Sequence, residues 1–186
     1  MSDASSNKRN LIVMIAVFVL PVIMAYLALK LDWFNKAATN RGELLQPVIE
    51  AAPLLSDSDK KWHLLYVIPA VCDLACENAL YSVKQTYTAT GKEADRVSTL
   101  FIYNENSAVS AVDKVREFNG SFLLQKPQEN VNEVFKNVDL NAIFISDTLH
   151  NIVLRYPTTE DEQQAIMDSR DMLSDLKKLL KLSRIG

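Results

Sequence analysis

A long uncharged segment near the N-terminus limits what this chain can fold into more than any other feature. Residues 11–29 read LIVMIAVFVLPVIMAYLAL and contain no charged side chain. As a helix with a rise of about 1.5 Å per residue, the segment would span roughly 28 Å, close to the hydrocarbon thickness of a bilayer. Ala25-Tyr26-Leu27-Ala28 is a poor site for signal peptidase. A buried core helix, the alternative, would usually carry a polar stripe, so residues 11–29 are predicted to be an uncleaved transmembrane anchor.

The flanking charges do not decide on which side of the membrane the rest of the chain lies. Two basic residues, Lys8 and Arg9, precede the segment and three follow it, so the positive-inside rule favours neither orientation. The pair of cysteines in the C-terminal part favours an oxidising compartment. We therefore expect a single-pass protein of the inner membrane, with residues 1–10 in the cytoplasm and the C-terminal domain in the periplasm.

Composition excludes several large functional classes. The chain has 20 basic and 23 acidic residues and a net charge of −3, whereas a dedicated nucleic-acid binder would have a basic excess. No nucleic-acid partner is therefore expected. The 4 glycines are too few and too scattered for a dinucleotide-binding or P-loop motif. The 2 histidines are far apart in the sequence, which excludes the HExxH zinc motif.

The remaining chain is predicted to be a tether followed by one α/β domain. Residues 30–61 are interpreted as tether and lead-in, because glycine, prolines and a polar turn interrupt them. Hydrophobic patterning then predicts strands at 62–68 and 97–103, helices at 76–91 and 108–118, an extended piece at 122–124, a helical turn at 131–137, a hairpin at 142–156 and a last helix that begins with the capping box Thr159-x-x-Glu162. The order is βαβ, a helical connection, then ββα. This order predicts a thioredoxin-like domain over residues 62–186.

The chain's only cysteines, Cys72 and Cys76, follow the first predicted strand of this domain at the start of its first helix. Two cysteines one helical turn apart can approach disulfide geometry. A helix N-terminus favours a thiolate, but Asp73 and Glu77 oppose that effect, so the direction of the thiol pKa shift is left open. Cys72 is predicted to be the exposed catalytic nucleophile and Cys76 the resolving cysteine. Two unrelated buried cysteines are the alternative.

Residues 60–180 resemble the Sco (SenC) family, anchored thioredoxin-like proteins that help to metallate cytochrome c oxidase. The matching features are the single anchor, the strand motif Trp62-x-Leu64-Leu65-Tyr66, the C-x3-C motif and the C-terminal hairpin. The segments 151–157 and 179–186 are also similar to those of small uncharacterised membrane proteins encoded among oxidase assembly genes. The resemblance implies a role in oxidase assembly, with an oxidase subunit or an assembly factor as partner.

The resemblance also implies copper as a cofactor, because Sco proteins bind copper through both cysteines and a histidine just before the hairpin. Leu140 stands where that histidine would be. His150, at a hairpin turn where a glycine is more usual, is the candidate third ligand beside Cys72 and Cys76; the alternative is a solvated turn residue. His63 lies on a buried strand and is interpreted as a core or edge histidine with its hydrogen bonds satisfied.

Three functions are therefore open at this point. The first is thiol–disulfide exchange through the two cysteines, in the service of oxidase assembly. The second is a Cu(I) chaperone with an incomplete Sco-type site. The third is a non-enzymatic assembly scaffold in which the cysteines form a structural disulfide.

Overall fold

The computed structural model describes residues 3–30, 40–118 and 120–183, which belong to two compact units divided after Thr39. The first unit contains helix α1 (Asp3–Lys30). Its segment Asn10–Ala28 is the one helical stretch among the described residues that is long and apolar enough to cross a membrane. The apolar side chains of this stretch are largely exposed, as expected where lipid is the partner. α1 therefore fits a single-pass anchor, and the predicted tether residues 31–39 lie outside the described residues.

The second unit is a six-stranded sheet with helices on both faces. Its elements in chain order are β1 (Glu43–Glu50), α2 (Ala52–Leu55), β2 (Trp62–Val67), α3 (Leu74–Thr90), a 3-10 turn (Gly91–Arg96), β3 (Val97–Tyr103), α4 (Val109–Arg116), β4 (Ser121–Gln125), α5 (Gln128–Val134), β5 (Ala142–Ser146), β6 (Asn151–Pro157) and α6 (Glu162–Leu182). The α/β class predicted from the sequence is confirmed.

The sheet mixes parallel and antiparallel pairing in the order β1-β6-β5-β2-β3-β4. β2 pairs parallel with β3, and β3 pairs parallel with β4. On its other side β2 pairs antiparallel with β5, which forms a hairpin with β6. The carboxyl ends of the parallel strands therefore lie at the same edge of the sheet as the start of β5 and the end of β6.

The central strand β2 is buried on both faces. Leu64 and Tyr66 face a core formed with α3, α4 and α6. Leu65 and Val67 face a second core, formed with α2 and α5. Such two-sided burial explains why the strand reads as a continuous apolar run rather than as an alternating pattern.

The segment 43–50 differs from the prediction, which places it in the tether and lead-in. It forms β1, an edge strand that pairs antiparallel with β6. Most of its side chains are exposed, and its register is interrupted between Leu44 and Ile49, around Pro47. Leu45 and Ile49 are half-buried against the second core, whereas the remaining side chains are exposed, so the apolar pattern of this edge strand is too weak to predict it. The compact unit consequently begins at Asn40 rather than at residue 62.

The start of α6 also differs from the prediction. Its N-cap is Asp161, whose Oδ1 accepts a hydrogen bond from the backbone N–H of Gln164 at 3.1 Å. Thr159, the predicted cap, instead accepts the N–H of Asp161 at its Oγ1 at 3.2 Å. Aspartate caps helices at least as well as threonine, so the helix starts two residues later than the capping-box motif indicates.

The carboxylate of Asp175, fully buried on α6, fixes the point at which the chain enters this unit. It accepts hydrogen bonds from the backbone N–H groups of Arg41 (2.6 Å) and Gly42 (3.0 Å) and from the Tyr156 hydroxyl (2.9 Å). Burial alone would raise the pKa of Asp175, but these bonds and Lys178 outweigh burial and hold the pKa below its usual value. A Cβ at Gly42 would lie 2.4 Å from the Tyr156 ring, so this approach requires glycine.

Replacing Asp175 with asparagine should destabilise the domain by about 2 kcal/mol, because the buried donors lose a charged acceptor. The measurement is urea unfolding of the full chain in an uncharged detergent. Asp171→Asn is the matched control, one turn away on α6. Asp171 pairs with Arg41 at the surface, where an ion pair contributes about 1 kcal/mol or less. Equal losses in the two variants would contradict this account of Asp175.

Candidate functional site

The two cysteines form a disulfide where the loop after β2 meets the first turn of α3. Their Cα atoms are 5.1 Å apart, within the ordinary range for disulfides. Cys76 is 1% exposed and packs in the core, whereas Cys72 is only partly buried. The structure thus provides one partly buried and one fully buried cysteine. The catalytic roles assigned to them stay predictions.

The loop that carries Cys72 is held against the start of α4. The carbonyl oxygen of Ile68 accepts a hydrogen bond from the Ser107 hydroxyl at 2.9 Å. The next carbonyl, that of Pro69, accepts the backbone N–H of Ala108 at 2.8 Å. Proline also ends the strand pairing of β2, because it has no N–H to donate. The loop therefore leaves the sheet at a fixed point and delivers Cys72 to the N-terminus of α3.

Asp73, between the two cysteines, is the N-cap of α3. Its Oδ1 accepts a hydrogen bond from the backbone N–H of Cys76 at 2.9 Å. This bond satisfies one of the donors that would otherwise stabilise a thiolate at the helix N-terminus. Glu77, in the same turn, is paired with Lys114 of α4 at 2.6 Å. Unlike Glu77, Asp73 therefore has no cation paired with it among the residues that the structure describes.

Tyr66 lies at the carboxyl end of β2, beneath this loop. Its side chain is 3% exposed. Burial, with a smaller effect from the charge of Asp73, raises the pKa of the Tyr66 hydroxyl far above its usual value. Tyr66 consequently remains a neutral phenol and contributes packing rather than proton transfer at the site.

The structure places the two histidines at the other end of the sheet. We call the edge formed by the carboxyl ends of β2 and β3 the cysteine edge, and the opposite edge, with the β5–β6 turn, the histidine edge. His63 is the second residue of β2 and pairs with Ser146, the last residue of β5. The six residues of β2 span roughly 17 Å or more, so His150 in the β5–β6 turn does not join the cysteines in one site.

At the histidine edge the His150 side chain packs against His63 and is partly buried rather than fully exposed to solvent. Their ring centroids are 6.0 Å apart and the rings are stacked, and the Ser58 hydroxyl lies 3.4 Å from the Nε2 atom of each. His63 Nδ1 is 2.6 Å from the Ser98 hydroxyl, which agrees with the predicted satisfied core histidine. His150 has φ of 67°, a left-handed conformation that would favour glycine, as is more usual at this turn.

The residues present do not fit the copper site that the resemblance implies. Leu140 does lie just before β5, at the cysteine edge, but its side chain packs in the core on the opposite face of the sheet from Cys76. Within residues 3–30, 40–118 and 120–183, no three His, Cys, Asp or Glu side chains are grouped so that they could hold a metal ion. Among the residues that the structure describes, no third protein ligand therefore joins Cys72 and Cys76, because His150 is at the histidine edge.

A comparison with models of protein families matches residues 62–183, more than half of the chain, to the "Transmembrane-like, thioredoxin-like, C-terminal domain" family. The chain belongs to this family. The matched range begins with β2 and ends just after α6, so it contains the disulfide loop and both edges of the sheet. A comparison with curated proteins finds no match.

Solved structures similar to this thioredoxin-like domain include several Sco proteins. Apo Sco1 from Thermus thermophilus is 19% identical, with 78% of this chain and 99% of that chain covered and a TM-score of 0.54. ScoI of Arabidopsis thaliana with copper bound is 18% identical, with 66% and 88% covered and a TM-score of 0.50. A SCO1/SenC family lipoprotein from Bacillus anthracis str. Ames is 13% identical, with 67% and 84% covered and a TM-score of 0.50. At these identities the similarity concerns the fold, and it confirms the predicted thioredoxin-like architecture.

After reduction, Cys72 should be alkylated at least about tenfold faster than Cys76, because the Cys76 sulfur is enclosed by the core. The measurement is a time course with iodoacetamide on the full chain, followed by mass spectrometry of the two cysteines. The control is the same reaction in denaturant, where both thiols should react at similar rates. Equal rates in the native protein would contradict the assignment of an accessible and a buried sulfur.

Burial of His63 predicts a loss of stability in mild acid. Burial lowers the pKa of His63 to about 4, against about 6.5 in an unfolded chain. Below pH 6.5 the unfolded chain therefore binds a proton at His63, whereas the folded protein binds it only near pH 4. Because protonation favours the unfolded chain, the free energy of unfolding should fall by on the order of 2–3 kcal/mol over that interval. Urea unfolding at several pH values measures the fall. His63→Gln should flatten it, and an unchanged pH dependence in that variant would contradict the assignment.

Proposed function

We propose that this protein is a membrane-anchored thiol–disulfide exchange factor that acts through Cys72 and Cys76. The observation that supports this most is the pairing of a partly exposed cysteine with a buried one across the start of α3. A disulfide with only a structural role would not require one of its cysteines to be exposed to solvent. Accessible and resolving thiols in this arrangement are what exchange through a mixed disulfide requires.

The exchange starts from the reduced pair. The Cys72 thiolate attacks one sulfur of a disulfide in the partner, which forms a Cys72–partner disulfide and releases the partner's other sulfur as a thiolate that takes up a proton. Cys76 then loses its proton and attacks the Cys72 sulfur, which forms the Cys72–Cys76 disulfide and releases the second partner thiol. Two electrons pass from the dithiol to the partner's disulfide. A second dithiol protein reverses the same steps and restores the reduced pair.

The local structure supports each of these steps. The Ile68 and Pro69 hydrogen bonds to the start of α4 hold Cys72 at the surface. The Asp73 cap keeps the first turn of α3 formed, so that Cys76 stays one turn from Cys72. Because core side chains surround Cys76, a partner reaches Cys72 first, and the resolving thiol is protected from outside disulfides.

We place this activity in the assembly of cytochrome c oxidase, with the C-terminal domain in the periplasm and α1 in the inner membrane. The similarity of the fold to Sco proteins and the sequence resemblance to proteins encoded among oxidase assembly genes support this role. The partner would be an oxidase subunit or assembly factor that contains a disulfide. Copper has no part in the proposed exchange, because the third ligand is missing at the cysteine edge.

A trapping experiment tests the proposed roles of the two cysteines. Cys76→Ser cannot resolve the mixed disulfide and should accumulate a covalent complex with the partner in oxidase-expressing cells, seen as a reducible band on a non-reducing gel. Cys72→Ser should give no such complex, because the attacking sulfur is gone and Cys76 is buried.

The double variant Cys72→Ser/Cys76→Ser is the matched control for trapping and for oxidase activity. If the double variant is stable and cells that carry it have full oxidase activity, the disulfide is structural and the scaffold function replaces exchange. Equal trapping by the two single variants would contradict the assignment of Cys72 as the nucleophile.

A further inference from the structure

Large apolar side chains are exposed around Cys72. Val71 precedes it and is 77% exposed, and Leu74, the first residue of α3, is 61% exposed. Val109, the first residue of α4, is 72% exposed and lies at the same edge, because the neighbouring Ala108 is hydrogen-bonded to Pro69. Single exposed apolar residues are common on protein surfaces, but a group of them beside a reactive sulfur indicates a contact surface.

Acidic residues lie on the segments next to this apolar group. Asp73 stands between the cysteines, and the Asn78 amide of α3 donates to the backbone oxygens of Thr159 (3.0 Å) and Glu160 (3.1 Å). The Asn78 bonds bring the acidic start of α6 beside the first turns of α3. Acidic side chains on these segments and on the loop after β3 include Asp73, Glu77, Glu105, Glu160, Asp161 and Glu162. The basic side chains of Lys126 and Arg155 also lie near this edge, but Lys126 is paired with Asp57, and Arg155 with Glu43 and Asp139. Lys114, the cation in contact with α3 here, is already paired with Glu77.

We propose that this surface selects partner segments in which the disulfide-bonded cysteine is flanked by an apolar residue and by arginine or lysine. This inference rests on the proposed exchange activity and names its substrate class. Burial of Val71, Leu74 and Val109 provides attraction without regard to charge. The neighbouring carboxylates then accelerate the encounter with a cationic segment and disfavour an acidic one.

The selected segment undergoes the exchange described above, with no further reactant. The Cys72 thiolate attacks the cysteine sulfur of the segment, the other sulfur of that disulfide leaves as a thiolate, and Cys76 then releases the segment as a thiol. The apolar contacts and the charge pairing act before and during the first step, because both flank the Cys72 sulfur.

The test measures exchange between the reduced full chain, in an uncharged detergent, and two synthetic peptides. Each peptide has leucine on one side of a cysteine that is disulfide-bonded to thionitrobenzoate, and the other side carries arginine in one peptide and glutamate in the other. Release of the coloured thionitrobenzoate gives the rate. At low salt the arginine peptide should react about fivefold faster than the glutamate peptide, and high salt should reduce that ratio.

Two pairs of variants separate charge recognition from apolar recognition. Asp73→Asn keeps a good N-cap but removes the charge, and should lower the arginine-to-glutamate ratio to about twofold. The ratio cancels any change in the reactivity of Cys72, since both peptides meet the same thiolate. Glu133→Gln, an exposed position on α5, has the same charge change and should leave the ratio unchanged.

Leu74→Ala should slow the reaction with both peptides by about threefold, through lost apolar contact. Leu149→Ala is the matched control, because Leu149 is 75% exposed but lies at the histidine edge. Equal rates for the two peptides, or equal effects of the Leu74 and Leu149 variants, would overturn this inference and leave the exchange activity standing. A reduced protein that reacts with neither peptide would overturn the exchange activity, and this inference with it.

Discussion

The burial of β2 on both faces is the constraint on which the rest of this domain depends. A strand covered by helices on each side needs neighbours for all its backbone groups, and β3 and β5 provide them in opposite orientations. That pairing fixes where β2 ends, and Pro69 then turns the chain out of the sheet with Cys72 only a few residues further on. The position of the disulfide at the cysteine edge is thus a consequence of core packing, to which Cys76 itself contributes.

Two carboxylates complete that arrangement by binding backbone N–H groups. Asp73 caps α3 and sets the first turn that contains Cys76. Asp175, buried on α6, holds the Arg41 and Gly42 amides where the chain enters the domain. Because β1 begins opposite Arg155 of β6, that entry point lies at the cysteine edge as well. Arg41 and Gly42, near the start of this domain, consequently lie at the same edge of the sheet as the disulfide.

The same topology separates the cysteines from the histidines, the two kinds of side chain that the copper hypothesis combines. The cysteines follow the carboxyl end of β2, whereas His63 lies at its amino end and His150 in the β5–β6 turn beside it. The position near β5 from which a side chain could approach the cysteine edge is taken by Leu140, which packs in the core beside α2 and α5. The proposed exchange needs only the two sulfurs, so this separation does not affect it, whereas a copper site of Cys72, Cys76 and His150 would require the three side chains to meet.

The sequence alone determined the membrane segment, the central strands, the hairpin and the cysteine pair, because each has a signal within a short stretch: an uncharged run, two-sided apolar strands, and a C-x3-C spacing after a strand. It did not determine β1, whose exposed residues are held by pairing with a strand more than 100 positions away, or the cap of α6, where Thr159 and Asp161 compete locally. Nor could the sequence predict that His150 lies far from the cysteines. That distance depends on whether the β5–β6 turn and the start of α3 lie at the same end of β2 or at opposite ends. Those outcomes belong to the tertiary structure, because strand direction and order, rather than residue type, decide which side chains meet.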